Sequence, residues 1–295
     1  MNINVRPRRS LLYMPASNSR ALEKSRDLPA DVLIFDLEDS VSPEKKALAR
    51  NEAIRAVNSG EYGAKELLVR VNGIGTEWIE DDIKAVVSSG AHGILVPKVS
   101  STKDIMFIED YLNTYGAKKD FSVWAMMETP QGILSSNEIA KVSKRLVGFC
   151  IGTADLSKDL GCSHPPDRSP MILSLQMVIL AAKANGLIVV DGVHIDLGDN
   201  EGYRESCIQG KSLGFDGKSL IHPKQIELAN TFFSPTMDEI SNAKEIISAH
   251  KVATKEGKGV ITLNGKLVEV LHVEQAKDLL NRASAIADLE KEIKL

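Results

Sequence analysis

Residues 31–37 read Asp-Val-Leu-Ile-Phe-Asp-Leu, a short β-rich run that leads into the acidic pair Glu38-Asp39. Runs of this kind alternate with segments of helical spacing; in residues 101–115, for example, Ile105, Ile108 and Leu112 lie on one helical face. The other seven runs are Ser10–Met14, Leu67–Val71, Gly93–Val99, Val123–Met127, Val147–Gly152, Leu187–Val193 and Gly217–Ile221. Eight strands that alternate with helices predict parallel pairing.

Two architectures fit this alternation, a closed barrel and an open doubly wound sheet. The count of eight strands favours the (β/α)8 TIM barrel. An open sheet that binds a nucleotide usually has a glycine-rich turn after its first strand. Residues 14–20 here read Met-Pro-Ala-Ser-Asn-Ser-Arg, without glycine. We therefore predict an α/β chain with a catalytic barrel over residues 1–234.

The pattern changes after residue 235. Pro235 begins a long polar helix that extends to about Lys255, and a final helix covers about Val273–Lys294. Between them, Asn264-Gly265 separates two β-rich segments, which is a strong hairpin signal. Residues 235–295 are too few for an independent core. We predict a C-terminal helix–hairpin–helix extension that packs on the barrel or on a neighbouring subunit.

The composition argues against several classes of function. Lys and Arg total 36 against 40 Asp and Glu, so a formal charge of −4 provides no global basic field for nucleic acid. No apolar run approaches the roughly 18–20 residues of a membrane span, and the first residues lack the apolar stretch of a secretory signal. Three cysteines without a Cys-x-x-Cys pair indicate reduced thiols in a cytoplasmic protein.

Functional side chains of a (β/α)8 barrel lie at the C-terminal ends of its strands. Glu128 and Asp155 follow the fifth and sixth strands, which are neighbours, so both carboxylates can reach one point above the barrel. Hard oxygen ligands suit Mg²⁺, which typically takes only one or two protein carboxylates. The alternative is that each carboxylate pairs with a basic side chain or caps the next helix. The acidic run 36–39 is interpreted as orienting basic side chains or metal-bound water.

Other polar residues at these strand ends indicate substrate contacts. Arg70 ends the third strand, where it can bind a substrate carboxylate or form an internal salt bridge with Glu38 or Asp39. The turn that holds Thr153 and Ala154 can present backbone N–H groups to a substrate carboxylate. The histidines near the seventh and eighth strands are interpreted as structural, and no motif supports Ser-His-Asp catalysis.

An ordered series of motifs covers nearly the whole chain. The motifs are Arg-Ser-Leu-Leu-Tyr-Met-Pro (9–15), Asp-Leu-Glu-Asp-Ser-Val (36–41), Val-Arg-Val-Asn (69–72), Val-Pro-Lys (96–98), Met-Glu-Thr (127–129) before Gly132, Gly-Thr-Ala-Asp-Leu-Ser-Lys-Asp-Leu-Gly (152–161) and Gly-Phe-Asp-Gly-Lys-Ser-Leu-Ile-His-Pro-Lys-Gln-Ile (214–226). Together they resemble the citrate lyase beta-subunit family and its relatives, the malyl-CoA and citramalyl-CoA lyases of the HpcH/HpaI aldolase superfamily. The matching order and spacing make the resemblance specific.

The resemblance implies a set of site residues and a cofactor. Glu128 and Asp155 would bind Mg²⁺ and, through it, the substrate. Arg70 would contact the substrate directly. Tyr13 and Lys24 would face the CoA or carrier moiety.

The segment 263–269 resembles a C-terminal segment that reaches a neighbouring subunit's active site. Relatives usually carry Asp, followed two residues later by Pro, where this chain has Glu269 and Leu271. Glu can still exchange protons as a catalytic residue, but it is one methylene longer. A shift of about 1 Å at a catalytic group can cost on the order of 100-fold in rate. Either the reaction is adapted to Glu269 or this residue has another task.

The implied reaction is a Mg²⁺-dependent retro-Claisen cleavage of a hydroxyacyl thioester held on CoA or an acyl carrier protein. A citryl thioester would give oxaloacetate and an acetyl thioester. The alternatives are a stand-alone malyl-CoA or citramalyl-CoA lyase, a malyl-CoA thioesterase, and a non-catalytic scaffold subunit of a citrate lyase complex. The resemblance also implies a homotrimer or a multiple of three.

Overall fold

The computed structural model describes residues 6–255 and 260–293, and its central feature is a closed barrel of parallel strands. The strands are β1 (Ser10–Pro15), β2 (Val32–Asp36), β3 (Glu66–Arg70), β4 (Gly93–Val96), β5 (Ser122–Met127), β6 (Leu146–Ile151), β7 (Ile188–Asp191) and β8 (Gly217–Leu220). Each strand pairs with the next along the chain, and β8 pairs with β1 to close the barrel. The predicted (β/α)8 TIM barrel is confirmed.

Helices surround the barrel and connect its strands. They are α1 (Ser19–Lys24), α2 (Lys46–Asn58), α3 (Ile79–Val87), α4 (Thr102–Thr114), α5 (Pro130–Leu134), α6 (Ser136–Ile139), α7 (Thr153–Leu160), α8 (Ile172–Ala184), α9 (Asn200–Leu213) and α10 (Ile226–Phe232). The single helical pattern of residues 129–140 is two short helices, with Ser135 at φ −93° and ψ 2° between them. Serine favours such a break because its hydroxyl competes for backbone hydrogen bonds.

Side chains of the strands alternate between two apolar layers. The inner layer fills the barrel with Leu11, Val32, Ile34, Leu68, Leu95, Trp124, Met126, Val147, Cys150 and Val190. The outer layer lies under the helices and includes Leu33 and Phe35 of β2 with Ile83 of α3 and Ile105 of α4. Because its interior is filled, the barrel is a packed scaffold rather than a pore.

Buried ion pairs close the N-terminal end of the barrel. Arg8 donates to the carboxylate of Glu66 at 2.6 Å and 3.0 Å. Arg9 donates to the carboxylate of Asp31 at 2.8 Å and 2.9 Å. All four side chains are nearly inaccessible to solvent. Ligand chemistry therefore belongs to the opposite end, which we call the barrel mouth and where the strands finish in polar residues.

The chain divides into two compact units. The first is the barrel, Arg8–Phe233, and the second includes Ser234–Leu295. In the second unit, helices α11 (Met237–Lys255) and α12 (Val270–Ile293) pack together, and strand β9 (Ile261–Leu263) pairs antiparallel with β10 (Lys266–Val268).

The turn of this hairpin has the backbone that its sequence predicts. Asn264 and Gly265 have positive φ angles of 52° and 74°, as a type I′ turn requires. The predicted helix–hairpin–helix order is confirmed, and Lys294, the last residue of the predicted final helix, lies outside the described residues. Over the described part of the chain, no helix is long and apolar enough to cross a membrane.

Candidate active site

The innermost contact at the barrel mouth joins Arg70 to Asp36. These residues end β3 and β2 and face each other in the strand register. The Arg70 guanidinium donates from Nε to Oδ1 of Asp36 at 2.7 Å and from Nη2 to Oδ2 at 2.8 Å. Burial alone would raise the pKa of Asp36, but the hydrogen bonds and charge of Arg70 outweigh it and hold that pKa below its usual value. The result is a fixed, buried guanidinium.

The remaining face of Arg70 is directed toward the opening of the barrel. Its Nη1 lies 3.0 Å from Oε2 of Glu38 and 3.5 Å from Oδ2 of Asp39. The ring of Tyr13 stacks 4.8 Å from the guanidinium carbon, and the Tyr13 hydroxyl lies 3.8 Å from Sγ of Cys150. Tyr13 thus lies beside Arg70 inside the barrel mouth, and its contact with the CoA moiety stays a prediction.

Glu128 is a buried carboxylate directly after β5. Its Oε1 accepts a hydrogen bond from the backbone N–H of Lys98 at 2.8 Å. Burial, followed by the nearby charges of Glu38 and Asp155, raises the pKa of Glu128 to about 7, against the opposing effects of Lys98 and Arg70. The nearby basic groups therefore do not balance the charge of the Glu128 carboxylate.

Gly152 makes room for Glu128. A methyl group added at Gly152 would lie 2.2 Å from Oε2 and 2.6 Å from Cβ of Glu128. The backbone of Gly152, at φ −110° and ψ 84°, is open to other residues. Glycine is therefore required here by the close approach of the Glu128 side chain and not by its backbone conformation.

Asp155 stands on the first turn of α7, directly after β6. Its charge acts on both Glu128 and Lys98, so the two predicted metal ligands share one electrostatic environment. Gly152 is the N-cap of this helix, and the first-turn N–H groups of Thr153 and Ala154 have no partner within it. The turn predicted to receive a substrate carboxylate is therefore a helix N-terminus, where anions are favoured.

The donor set at the mouth fits a hard divalent cation. Glu128 and Asp155 offer carboxylate oxygens, and a cation would relieve the charge that raises the pKa of Glu128. Among residues 6–255 and 260–293, no three His, Cys, Asp or Glu side chains converge on one point. Mg²⁺ does not need such a cage, because it usually takes one or two carboxylates and completes its shell with water and substrate.

A cavity of about 630 Å³ opens beside the acidic residues that follow β2. It lies among the loops that follow β2, β3 and β4, and both Glu38 and Lys98 line it. Burial, reinforced by Asp39 and Asp36, raises the pKa of Glu38 to about 7. The remaining lining residues are Asp39, Val41, Pro43, Lys46, Asn72, Gly73, Ile74, Thr76, Trp78, Pro97, Ser100 and Asp104.

A second buried ionic group lies between β7, β8 and the loop before α8. Asp191 accepts from Lys218 Nζ at 2.9 Å and from Arg168 Nη1 at 2.5 Å, with all three side chains buried. Lys218 lies in the motif 214–226, whereas no motif of the sequence included Arg168. Arg168 reaches Asp191 because the loop before α8 returns to the barrel. No local sequence signal marks that contact.

The two histidines that follow these strands have structural surroundings. The His222 ring accepts a hydrogen bond from the Lys224 N–H at 3.2 Å and so caps the turn after β8. The His194 ring packs 5.7 Å from that of Tyr203, and burial followed by the charge of Lys218 lowers the pKa of His194. Both arrangements agree with the structural interpretation of these residues.

Two predicted site residues are exposed to solvent. Lys24 is the last residue of α1 and Glu269 lies between β10 and α12. The carrier contact of Lys24 and the catalytic role of Glu269 remain predictions. The barrel unit itself brings together Arg70, Glu128 and Asp155.

The barrel unit holds Arg70, Glu128 and Asp155 at the end of a closed (β/α)8 barrel where barrel enzymes carry their active sites. The family model for HpcH/HpaI aldolase/citrate lyase matches residues 9–223. The chain belongs to this family, within its group of proteins that resemble the citrate lyase beta subunit.

The relatives carry two different activities in their names. The chain is 46% identical over 281 residues to a (3S)-malyl-CoA thioesterase of Cereibacter sphaeroides, covering 95% of this chain and 96% of the relative. It is 35% identical over 283 residues to the citrate lyase subunit beta of Escherichia coli, covering 94% of each. A Mycobacterium tuberculosis CitE structure with magnesium, acetoacetate and coenzyme A has a TM-score of 0.78 and 26% identity, over 95% of this chain and 99% of that one.

Proposed function

We propose that this chain is a Mg²⁺-dependent enzyme that hydrolyses a (3S)-malyl-CoA-type thioester to a free hydroxy acid and CoA. The observation that carries the proposal is the 46% identity to a (3S)-malyl-CoA thioesterase over 95% of the chain. The 35% identity to a citrate lyase beta subunit spans a similar length. Hydrolysis is therefore favoured over the citryl cleavage that the motifs alone suggested.

The mouth residues suit a hydroxy acid with a neighbouring carboxylate. Glu128 and Asp155 would hold Mg²⁺, which when bound supplies a Lewis acid and a template for such a chelating group. Arg70, fixed by Asp36 at 2.7 Å and 2.8 Å, keeps its orientation without the substrate. A guanidinium positioned in advance stabilises negative charge on the substrate without reorganisation. The N–H groups of Thr153 and Ala154 would receive a carboxylate oxygen.

Proton transfer in hydrolysis is assigned to Glu38. Burial raises its pKa to about 7, and a carboxyl with a pKa near the working pH serves well as a general base. Glu38 would take a proton from water as the water oxygen bonds to the thioester carbon. The C–S bond then breaks, and the same proton passes to the leaving sulfur, so that the acid and the thiol are the two products.

Carbon–carbon cleavage is the second candidate. The same Arg70, Glu128 and Asp155 would bind a citryl, malyl or citramalyl thioester on CoA or an acyl carrier protein. Removal of the hydroxyl proton would break the adjacent carbon–carbon bond, giving a 2-oxo acid and the enolate of an acyl thioester. Glu269 of a neighbouring subunit would then protonate the enolate carbon. The similarity to citrate lyase subunit beta favours this candidate, with lyase partner subunits as its context.

A product assay separates the candidates. The purified chain is given Mg²⁺ with (3S)-malyl-CoA, citramalyl-CoA and citryl-CoA, and free thiol and keto acid are measured together. We expect thiol from malyl-CoA without glyoxylate, and no thiol in EDTA. Keto acid at one equivalent per thioester would establish the lyase instead. A chain inert on all three would be a scaffold or carrier-dependent subunit, and the hydrolase proposal would be wrong.

A further inference from the structure

Lys98 has an unusual backbone directly after β4. Its φ angle is +54°, in the left-handed region that few residues other than glycine adopt. Only Lys98, Arg168 and Asn264 have this geometry among the described non-glycine residues. Such a conformation costs free energy and persists where the surroundings enforce it, often beside a functional site.

The strained backbone has an identifiable effect. It directs the Lys98 N–H to Oε1 of Glu128 at 2.8 Å, so the main chain orients the carboxylate that is proposed to hold the metal. Glycine would adopt the same φ at no steric cost and would keep this N–H. The hydrogen bond to Glu128 therefore explains the backbone conformation of residue 98 but does not explain why this residue is a lysine.

The side chain stands in a strongly acidic field. Its Nζ lies 3.9 Å from Oε1 of Glu38, and half of the side chain is exposed. The charges of Glu38, Asp155, Asp39 and Glu128 all act on it. Lys98 and Glu38 also line the same cavity of about 630 Å³. An exposed ammonium beside the metal carboxylates can meet the negative charge that a substrate brings.

We propose that Lys98 is a further substrate-binding residue, whose ammonium binds a carboxylate oxygen of a 2-hydroxy or 2-oxo acid at the Glu128–Asp155 site while its backbone orients Glu128. The inference rests on the proposed function, because it places the acid at that site. It predicts opposite changes in metal affinity and in acid affinity. Removing the ammonium takes a positive charge away from the metal ligands, so metal affinity should rise while acid affinity falls.

The test compares four substitutions. Lys98→Gly and Lys98→Asn tolerate positive φ and remove the charge, Lys98→Arg keeps the charge, and Lys98→Val opposes the backbone. Lys103→Asn, at an exposed lysine of α4, is the matched control. Metal binding is measured with Mn²⁺ from the free-ion signal in electron paramagnetic resonance. Acid binding is measured by calorimetry with oxaloacetate and Mg²⁺.

We expect the glycine and asparagine variants to bind Mn²⁺ a few-fold more tightly than the parent chain. Their oxaloacetate affinity should fall by about 10- to 100-fold, the effect of one charge-assisted hydrogen bond. Lys98→Arg should retain most of that affinity, and Lys98→Val should lose Mn²⁺ binding. Unchanged oxaloacetate binding in the glycine and asparagine variants would overturn the inference alone. A parent chain that binds Mn²⁺ but neither binds oxaloacetate nor cleaves a thioester would overturn the proposed function with it.

Discussion

Asp36 holds Arg70 by two parallel hydrogen bonds at the point where β2 and β3 end together. Asp36 uses the Nε–Nη2 edge of the guanidinium, and the two hydrogen bonds hold the planar group in one orientation. Nη1, the third guanidinium nitrogen of Arg70, is consequently directed toward Glu38. Asp36 therefore fixes the position of the donor that we propose to bind substrate, and Asp36 need not touch substrate itself.

Arg70→Lys should lower kcat/KM by about 100-fold or more, because an ammonium cannot keep the two-point contact and the outward donor together. Asp36→Asn should reduce the free energy of unfolding by up to about 3–5 kcal/mol, since the buried guanidinium would keep only Glu38 and Asp39 as counter-charges. Steady-state kinetics and urea unfolding measure these effects. Asp39→Asn is the control: its side chain is 62% exposed and 3.5 Å from Arg70, and a change above about 1 kcal/mol there would contradict this explanation.

Glu128 should make the metal-free protein less stable as pH rises. Its folded pKa of about 7 exceeds the ordinary 4.5, so its contribution to stability is complete below pH 4.5 and is lost as pH rises through about 7. In EDTA, the free energy of unfolding should therefore fall between pH 5 and pH 8, with roughly 2–3 kcal/mol of the change due to this group.

Glu128→Gln should flatten that dependence and abolish detectable Mg²⁺ binding by calorimetry. In the parent chain, Mg²⁺ affinity should increase with pH up to about 7, because protons and metal compete for the same carboxylate. Part of the slope will remain in the variant, since burial also raises the pKa of Glu38. Identical pH profiles for the two proteins would show that Glu128 is already ionised without metal.

Gly152→Ala should weaken metal binding by 10-fold or more, on the order expected when a ligand is displaced by about 1 Å. The added methyl would lie 2.2 Å from a Glu128 oxygen, so the carboxylate must move. Gly90→Ala is the matched control, because its methyl would meet its nearest neighbours at an ordinary 3.7 Å. Calorimetric titration with Mg²⁺ compares the two, and equal affinities would show that Glu128 can relocate without loss.

If carbon–carbon cleavage is the reaction, Glu269→Ala should reduce turnover by at least about 100-fold, because the enolate would lose the acid that a neighbouring subunit supplies. Glu274→Ala, at an exposed position of α12, should have no effect. Deletion of residues 258–295 should abolish activity and shift the chain from a trimer or a multiple of three to smaller species in analytical ultracentrifugation. A fully active monomeric deletion variant would exclude a site shared between subunits.

The sequence predicted the eight barrel strands because short β-rich runs alternate with helical segments. It predicted the hairpin because Asn264-Gly265 separates two further β-rich segments. Both signals are local. The sequence also placed Glu128 and Asp155 at the ends of neighbouring strands, where the charge of Asp155 acts on Glu128. It did not predict that Asp36, rather than Glu38 or Asp39 alone, binds Arg70, because that depends on the register of two strands. The left-handed backbone of Lys98 follows from a tertiary hydrogen bond and has no local signature.

The ion pairs that close the N-terminal end of the barrel have a kinetic consequence. With one end closed and the inner layer packed, the two products must depart by a single opening. Under the proposed function, the acid would lie deepest, among Glu128, Asp155 and Arg70, and the thiol would belong to the arm that extends outward. We expect ordered release, with the thiol first. The free acid should then inhibit competitively against the thioester, whereas CoA should give noncompetitive inhibition.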